Sequence, residues 1–205
     1  MAKTNILFFG NSFTYYEDLP RLVGQSLSKT EVVSCTRGSA LLSQHLSTTD
    51  ALGRQSQRAI AKGNWDYVVV QEMSTEAIDD YDTYLKSLTE MVALIKAVGA
   101  TPIIYQTWAF EGGTGSQGYG SAKREITNAE MHSQLKAAFN QASKAVGVTQ
   151  AKVGNEIARV RNKGDKKYDH EAFDLRIYSD DKKHLSKFGA TIVAKVFVTL
   201  FKSLL

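Results

Sequence analysis

Asn5-Ile6-Leu7-Phe8-Phe9-Gly10-Asn11-Ser12-Phe13-Thr14 is the stretch on which the fold turns. Ile6 to Phe9 is apolar without alternation, the pattern of a strand buried on both faces, as in a parallel sheet. The run then breaks at a glycine, an asparagine and a serine, the composition of a turn into a helix. Runs of the same kind follow at Glu31 to Thr36, Tyr67 to Gln71 and Pro102 to Thr107, and a fifth is expected near Val148 to Val153.

Helical patterns lie between these runs. Leu19 to Leu27 is amphipathic, and Ala51 to Lys62 is polar with apolar spacing. Tyr81 to Val98 places Leu85, Leu88, Val92 and Ile95 on one face and stops at Gly99; Thr127 to Val146 does the same with Leu135, Ala138, Phe139 and Ala142 before Gly147. The last helix, Ser186 to Leu205, carries Val193, Val196, Phe197, Leu200 and Leu204. Strands alternating with helices predict an α/β fold: right-handed crossovers and an open parallel sheet covered on both sides. Ligands in such folds bind beyond the C-terminal ends of the strands. The long irregular stretch Ala109 to Ser121, with five glycines, follows a strand end and borders that place, as a lid or as simple disorder.

The bulk properties narrow the field. The 205 residues fit one domain, 1–205, and the apolar share of 43% with 22% charged residues is that of an ordinary globular protein. Net charge is +4, with the densest basic spot at Lys163 to Lys167 and no basic stripe interleaved with aromatics, so nucleic acid is not an expected partner. Cys35 is the only cysteine, which rules out an intrachain disulfide and reads as a buried apolar side chain. No stretch has the roughly 20 apolar residues of a membrane span, and the N-terminus carries no leader pattern. The chain as it stands reads as cytoplasmic; a removed leader would make it secreted or periplasmic.

Four places carry chemistry. Ser12, after the first strand, stands where substrates bind, though a serine or asparagine there is ordinarily a helix cap. Asp181-Lys182-Lys183-His184 precedes the last helix. An aspartate three residues before a histidine can hold the imidazole in one tautomer, while the alternative is a solvated, charged helix entrance. Gly38, after the second strand, allows close backbone approach and an N–H donor for an oxyanion, or is a turn glycine. Gln71, ending the third strand, presents an amide that could serve the same oxyanion or bond to a neighbouring loop. His45, His132 and His170 fall in polar or charged segments without metal-ligand spacing and read as surface residues.

Together these pieces resemble the SGNH (GDSL-like) hydrolases, in their branch with a Gly-Asn-Ser-Phe-Thr first block. Gly10-Asn11-Ser12 matches the first block, Gly38 the second, and Asp181 with His184 the last, followed by Leu185-Ser186 and Gly189. Val70-Gln71-Glu72 departs from the Gly-x-Asn-Asp pattern of the third block. The resemblance implies a flavodoxin-like three-layer α/β/α sandwich and a carboxylic ester hydrolase with Ser12 as nucleophile, His184 as base and Asp181 as its orienting partner. It implies an oxyanion hole from the N–H groups of Ser12 and Gly38 with the Gln71 amide, and no metal or organic cofactor. The expected substrate is a small-molecule ester, first a short acyl group on a carbohydrate. Asn11, Glu72, Trp108 and Phe110 are candidates for the substrate pocket; Glu72 could equally orient Gln71 or be a surface carboxylate, and the two aromatics could equally pack under the glycine loop. Two alternatives stand beside this reading: a flavodoxin-like module that binds an anion without catalysis, in which Ser12 and His184 lie apart, and a degenerate esterase used for recognition.

Overall fold

The computed structural model describes residues 3–114, 125–163 and 176–204. In chain order its elements are β1 (Thr4–Gly10), α1 (Ser12–Tyr15), a 3-10 turn at Tyr16–Asp18, α2 (Leu19–Gln25), β2 (Thr30–Thr36), α3 (Leu42–Leu46), α4 (Ala51–Ala61), β3 (Tyr67–Val70), α5 (Glu76–Asp79), α6 (Tyr81–Ala97), β4 (Thr101–Tyr105), α7 (Asn128–Val146), β5 (Gln150–Ala151), α8 (Val153–Lys163) and α9 (Lys187–Leu204). The five strands form one parallel sheet in the order β2-β1-β3-β4-β5. This is the α/β architecture the strand runs predict, with the fifth strand shorter than expected because Val153 already opens α8.

Continuous apolar character in β1 and β3 corresponds to burial on both faces. Ile6 to Phe9 and Val68 to Val70 are all buried. Phe8 packs edge-on against Phe197 of α9 at 5.2 Å, while Phe9 points the other way, to the His45 ring of α3 at 5.4 Å. α2 packs with α9 on the first side, and α3 packs with α4 and α6 on the second. α7 lies beside α6 through an edge contact of Tyr84 and Phe139. It begins at a capping box of Thr127 and Glu130 and ends at Gly147 in the left-handed region, φ 62°.

Register brings three loops together. Gly10 is level with Thr36, and Phe9 with Val70, so the chain leaves β1, β2 and β3 at nearly the same height. β2 lies on one side of β1 and β3 on the other, which makes the ends of these strands the point where the winding reverses. The glycine-rich stretch from Ala109 is described only to Thr114, and its expected lid function lies outside the described residues beyond that point, as do the basic spot after Lys163 and His170.

Candidate active site

The turn after β1 is built by hydrogen bonds from two neighbouring loops. Asn11 Oδ1 accepts from the Phe13 N–H at 3.1 Å, capping α1, while Asn11 Nδ2 donates to the Ala40 carbonyl at 3.0 Å. The Asn11 N–H donates to Gln71 Oε1 at 2.9 Å, and the Thr14 hydroxyl donates to the same oxygen at 2.9 Å. Gln71 Nε2 donates to Asn11 Oδ1 at 3.0 Å and to the Glu72 carbonyl. Gly10 is required by this packing, since a Cβ there would overlap Gln71 Oε1 and Thr14 Oγ1.

That network corrects the role expected of Gln71. Both its N–H bonds are made inside the protein and its side chain is wholly buried, so no donor is left for an oxyanion. Gln71 clamps the serine turn. The resemblance places an oxyanion donor here, but Asn11 and the Glu72 carbonyl, both within reach of the longer side chain, take up its amide.

Ser12 is joined to the other end of the chain. Its hydroxyl lies 2.7 Å from His184 Nε2, and His184 Nδ1 lies 2.5 Å from Asp181 Oδ2. With the carboxylate at Nδ1, the proton sits on Nδ1 and Nε2 accepts from the serine hydroxyl. Asp181 Oδ1 is itself held by three donors, the N–H groups of His184 and Lys183 at 2.8 and 2.9 Å and the Ser179 hydroxyl at 2.7 Å. Burial acts to raise the Asp181 pKa, but the bonds from His184, the Lys183 N–H and Ser179 outweigh it and hold the carboxyl well below its ordinary value. Lys182 adopts a left-handed φ of 59° inside this turn, and Ser39, beside Gly38, one of 56°. Non-glycine residues in that region are a mark of loops shaped for a site rather than for backbone ease.

The N–H groups of Ser12 and Gly38 find no acceptor among the described residues. Gly38 is exposed, and a Cβ built on it would stand 3.4 Å from the Tyr15 hydroxyl. Free donors beside a hydroxyl are what acyl transfer uses to hold a developing oxyanion.

Aromatic rings enclose the imidazole. Phe13 meets His184 edge-on at 5.5 Å and stacks on Trp108 at 4.1 Å with planes 3° apart, and Tyr16 stacks on the other side of His184 at 4.2 Å. Trp108 Nε1–H donates to the Lys183 carbonyl at 2.9 Å, tying the histidine loop to the segment after β4.

The expected pocket residues Asn11, Glu72, Trp108 and Phe110 are all buried, with Trp108 and Phe110 packed against Phe13. Glu72 is no surface carboxylate: its Oε1 accepts from the N–H groups of Leu42 and Met73 at 2.9 and 2.7 Å, and burial pushes its pKa up to about 7. His45 is likewise not a surface residue. It is buried with Nδ1 2.7 Å from the Ser56 hydroxyl and Nε2 3.2 Å from the Gly10 carbonyl, and burial pushes its pKa down to about 4. His132 is half-buried. Cys35 is buried as expected, with its thiol pushed up by burial.

The aromatic residues that do reach solvent at the site are Tyr15 and Tyr16, 42% and 41% exposed. Sequence reasoning passed over them. Their signal is positional: three and four residues after Ser12, they fall on its side of a helical turn.

No family model and no curated protein matches the chain. Its structure is similar along nearly its whole length to a protein from Slackia heliotrinireducens assigned to the SGNH hydrolases, at 29% identity and a TM-score of 0.81, covering 97% of this chain and 99% of that one. A DUF4886 family protein from Bacteroides uniformis follows at 21% identity and TM-score 0.70, over 96% of this chain and 82% of that one. An acetylxylan esterase from Geobacillus stearothermophilus shares the fold at 14% identity and TM-score 0.64, over 97% and 94% of the two chains. The parallel sheet, the strand ends that converge on Ser12 and the full-length likeness lead to one conclusion: the chain has the SGNH-hydrolase fold.

Proposed function

We propose that the chain cleaves carboxylic esters through an acyl-enzyme formed on Ser12. The observation that carries this reading is the hydrogen-bonded line from Ser12 Oγ through His184 to Asp181, 2.7 and 2.5 Å in its two links. His184 Nε2 takes the Ser12 proton as Oγ attacks the ester carbonyl, and Asp181 stabilises the imidazolium. The N–H groups of Ser12 and Gly38 bind the oxyanion. His184 then returns the proton to the departing alcohol, and water, activated by the same nitrogen, releases the acid.

An acetyl ester of a carbohydrate is the substrate class this reading favours; an acetylxylan esterase shares the fold. The binding-module alternative requires Ser12 and His184 to lie apart, and the 2.7 Å contact counts against it.

Hydrolysis of p-nitrophenyl acetate by the wild type and by Ser12→Ala at matched folding tests the reading. Turnover that falls about a thousandfold or more in the variant supports it. Equal rates in the two proteins overturn it.

A further inference from the structure

The Ser12 and Gly38 N–H groups stand on two different loops, so the distance between them depends on whatever joins those loops. Gly38 lies in a turn closed by the Ala40 N–H on the Arg37 carbonyl at 3.1 Å, with Ser39 at a left-handed φ of 56°. The turn enters beside β1, where the Arg37 N–H donates to the Gly10 carbonyl at 3.4 Å. Side chains hold its exit. Asn11 Nδ2 donates to the Ala40 carbonyl at 3.0 Å, and the Leu42 N–H donates to Glu72 Oε1 at 2.9 Å.

Leu42 opens α3, and its N–H is one of the donors that a helix start leaves without an internal partner. Leu41, at the N-cap position, has no side-chain oxygen, so the acceptor comes from Glu72. A polar residue at position 41 would cap this five-residue helix without burying a carboxylate, which is costly to withdraw from water. An acceptor just past the end of β3 does something more. The same Oε1 accepts from the Met73 N–H at 2.7 Å, so it ties the Gly38 loop to the strand end. The Glu72 carbonyl accepts from Gln71 Nε2, the amide that clamps Asn11 and the serine turn. Glu72 thus meets the Gly38 side of the site with its side chain and the Ser12 side with its main chain.

We propose that Glu72 is a positioning residue for the oxyanion hole: its carboxylate holds the loop 37–42 so that the Gly38 N–H reaches the same oxygen as the Ser12 N–H. The proposal rests on the ester-hydrolase reading above. Glu72 makes no hydrogen bond to Ser12 or His184 among the described residues, so its effect falls on the oxyanion and not on the nucleophile or base. A displaced donor weakens the transition state and leaves binding of the uncharged ester as it was.

Glu72→Ala should lower kcat and kcat/KM for p-nitrophenyl acetate equally, by about tenfold or more. It should weaken inhibition by phenylboronic acid by a similar factor, because the tetrahedral adduct on Ser12 places an oxygen between the two donors. Glu72→Gln, which keeps an oxygen for both N–H groups, should hold both quantities within about threefold of the wild type. Glu72→Asp keeps the charge and draws the acceptor back by one methylene; it carries the test where the alanine variant does not fold, with losses of the same kind. Wild-type kcat in the alanine or aspartate variant would overturn the proposal. So would a glutamine variant as poor as alanine, or a loss of kcat with boronate binding unchanged. Equal turnover by the wild type and Ser12→Ala would instead overturn the ester-hydrolase reading itself, a different result from these.

Discussion

Trp108 Nε1–H donates to the main-chain carbonyl of Lys183 at 2.9 Å, so the indole of one strand end holds the loop that carries the adjacent His184. The same indole stacks on Phe13, the neighbour of Ser12. One side chain therefore sets the spacing between the serine and the imidazole.

Trp108→Phe tests that spacing. The phenyl ring keeps a stacking face and loses the donor, leaving the Lys183 carbonyl without its partner at a cost of about 1–2 kcal/mol. Turnover should fall about tenfold or more through misplacement of His184. Thermal melting and kcat measured on the same preparation check both parts, and full activity in the variant would remove Trp108 from any positioning role.

Gln71 and Asn11 should act as one unit. Each alanine substitution alone is expected to lower kcat/KM by about ten- to a hundredfold, because each frees the serine turn. The double variant should be no worse than the poorer single, since Gln71 works through Asn11. Losses that multiply in the double-mutant cycle would return Gln71 to the role of an independent oxyanion donor.

Asp181 gives a pH dependence of known sign. Its pKa in the folded protein lies below that of the unfolded chain, so its carboxylate stabilises the fold above about pH 4 and that contribution is lost as pH falls toward the folded value. Asp181→Asn should remove this stabilisation at neutral pH, and its deficit should shrink as pH falls. It should also lower kcat by about a hundredfold or more, because the amide no longer fixes the imidazole tautomer. Urea titrations at pH 3 and pH 7 and steady-state kinetics check the two effects.

Glu72 has the opposite sign. Burial raises its folded pKa to about 7, so the protein loses stability as pH climbs from the ordinary carboxylate range through 7. Glu72→Gln, which still offers an oxygen to the Leu42 and Met73 N–H groups, should flatten that decline, by about 3 kcal/mol at most between pH 5 and pH 8. Parallel slopes in the two proteins would show that Glu72 does not titrate in this range.

Much of the framework is legible in the chain because it depends on local pattern. Ile6 to Phe9 and Val68 to Val70 read as doubly buried strands, and that is how they pack. The Asp181 and His184 spacing reads as a local turn, and it is one. What escapes is whatever depends on a distant partner. Gln71 reads as a free amide because nothing near it in sequence reveals that Asn11, 60 residues away, consumes it. His45 reads as a surface residue because its neighbours Ser43 and Gln44 are polar, while the partners that bury it, Gly10 and Ser56, come from another strand and another helix. α3 and α5, at five and four residues, are too short to show a period, and α8 opens with Val153-Gly154, which continues the strand pattern before it.

Ser12 and His184 are 172 positions apart, and this separation has a consequence for folding. The two side chains meet only after distant parts of the chain have closed on one another, and contacts of large sequence separation are slow to form. Regain of esterase turnover during refolding should therefore trail the recovery of helical signal, so that turnover would time the closure between the two ends of the sequence.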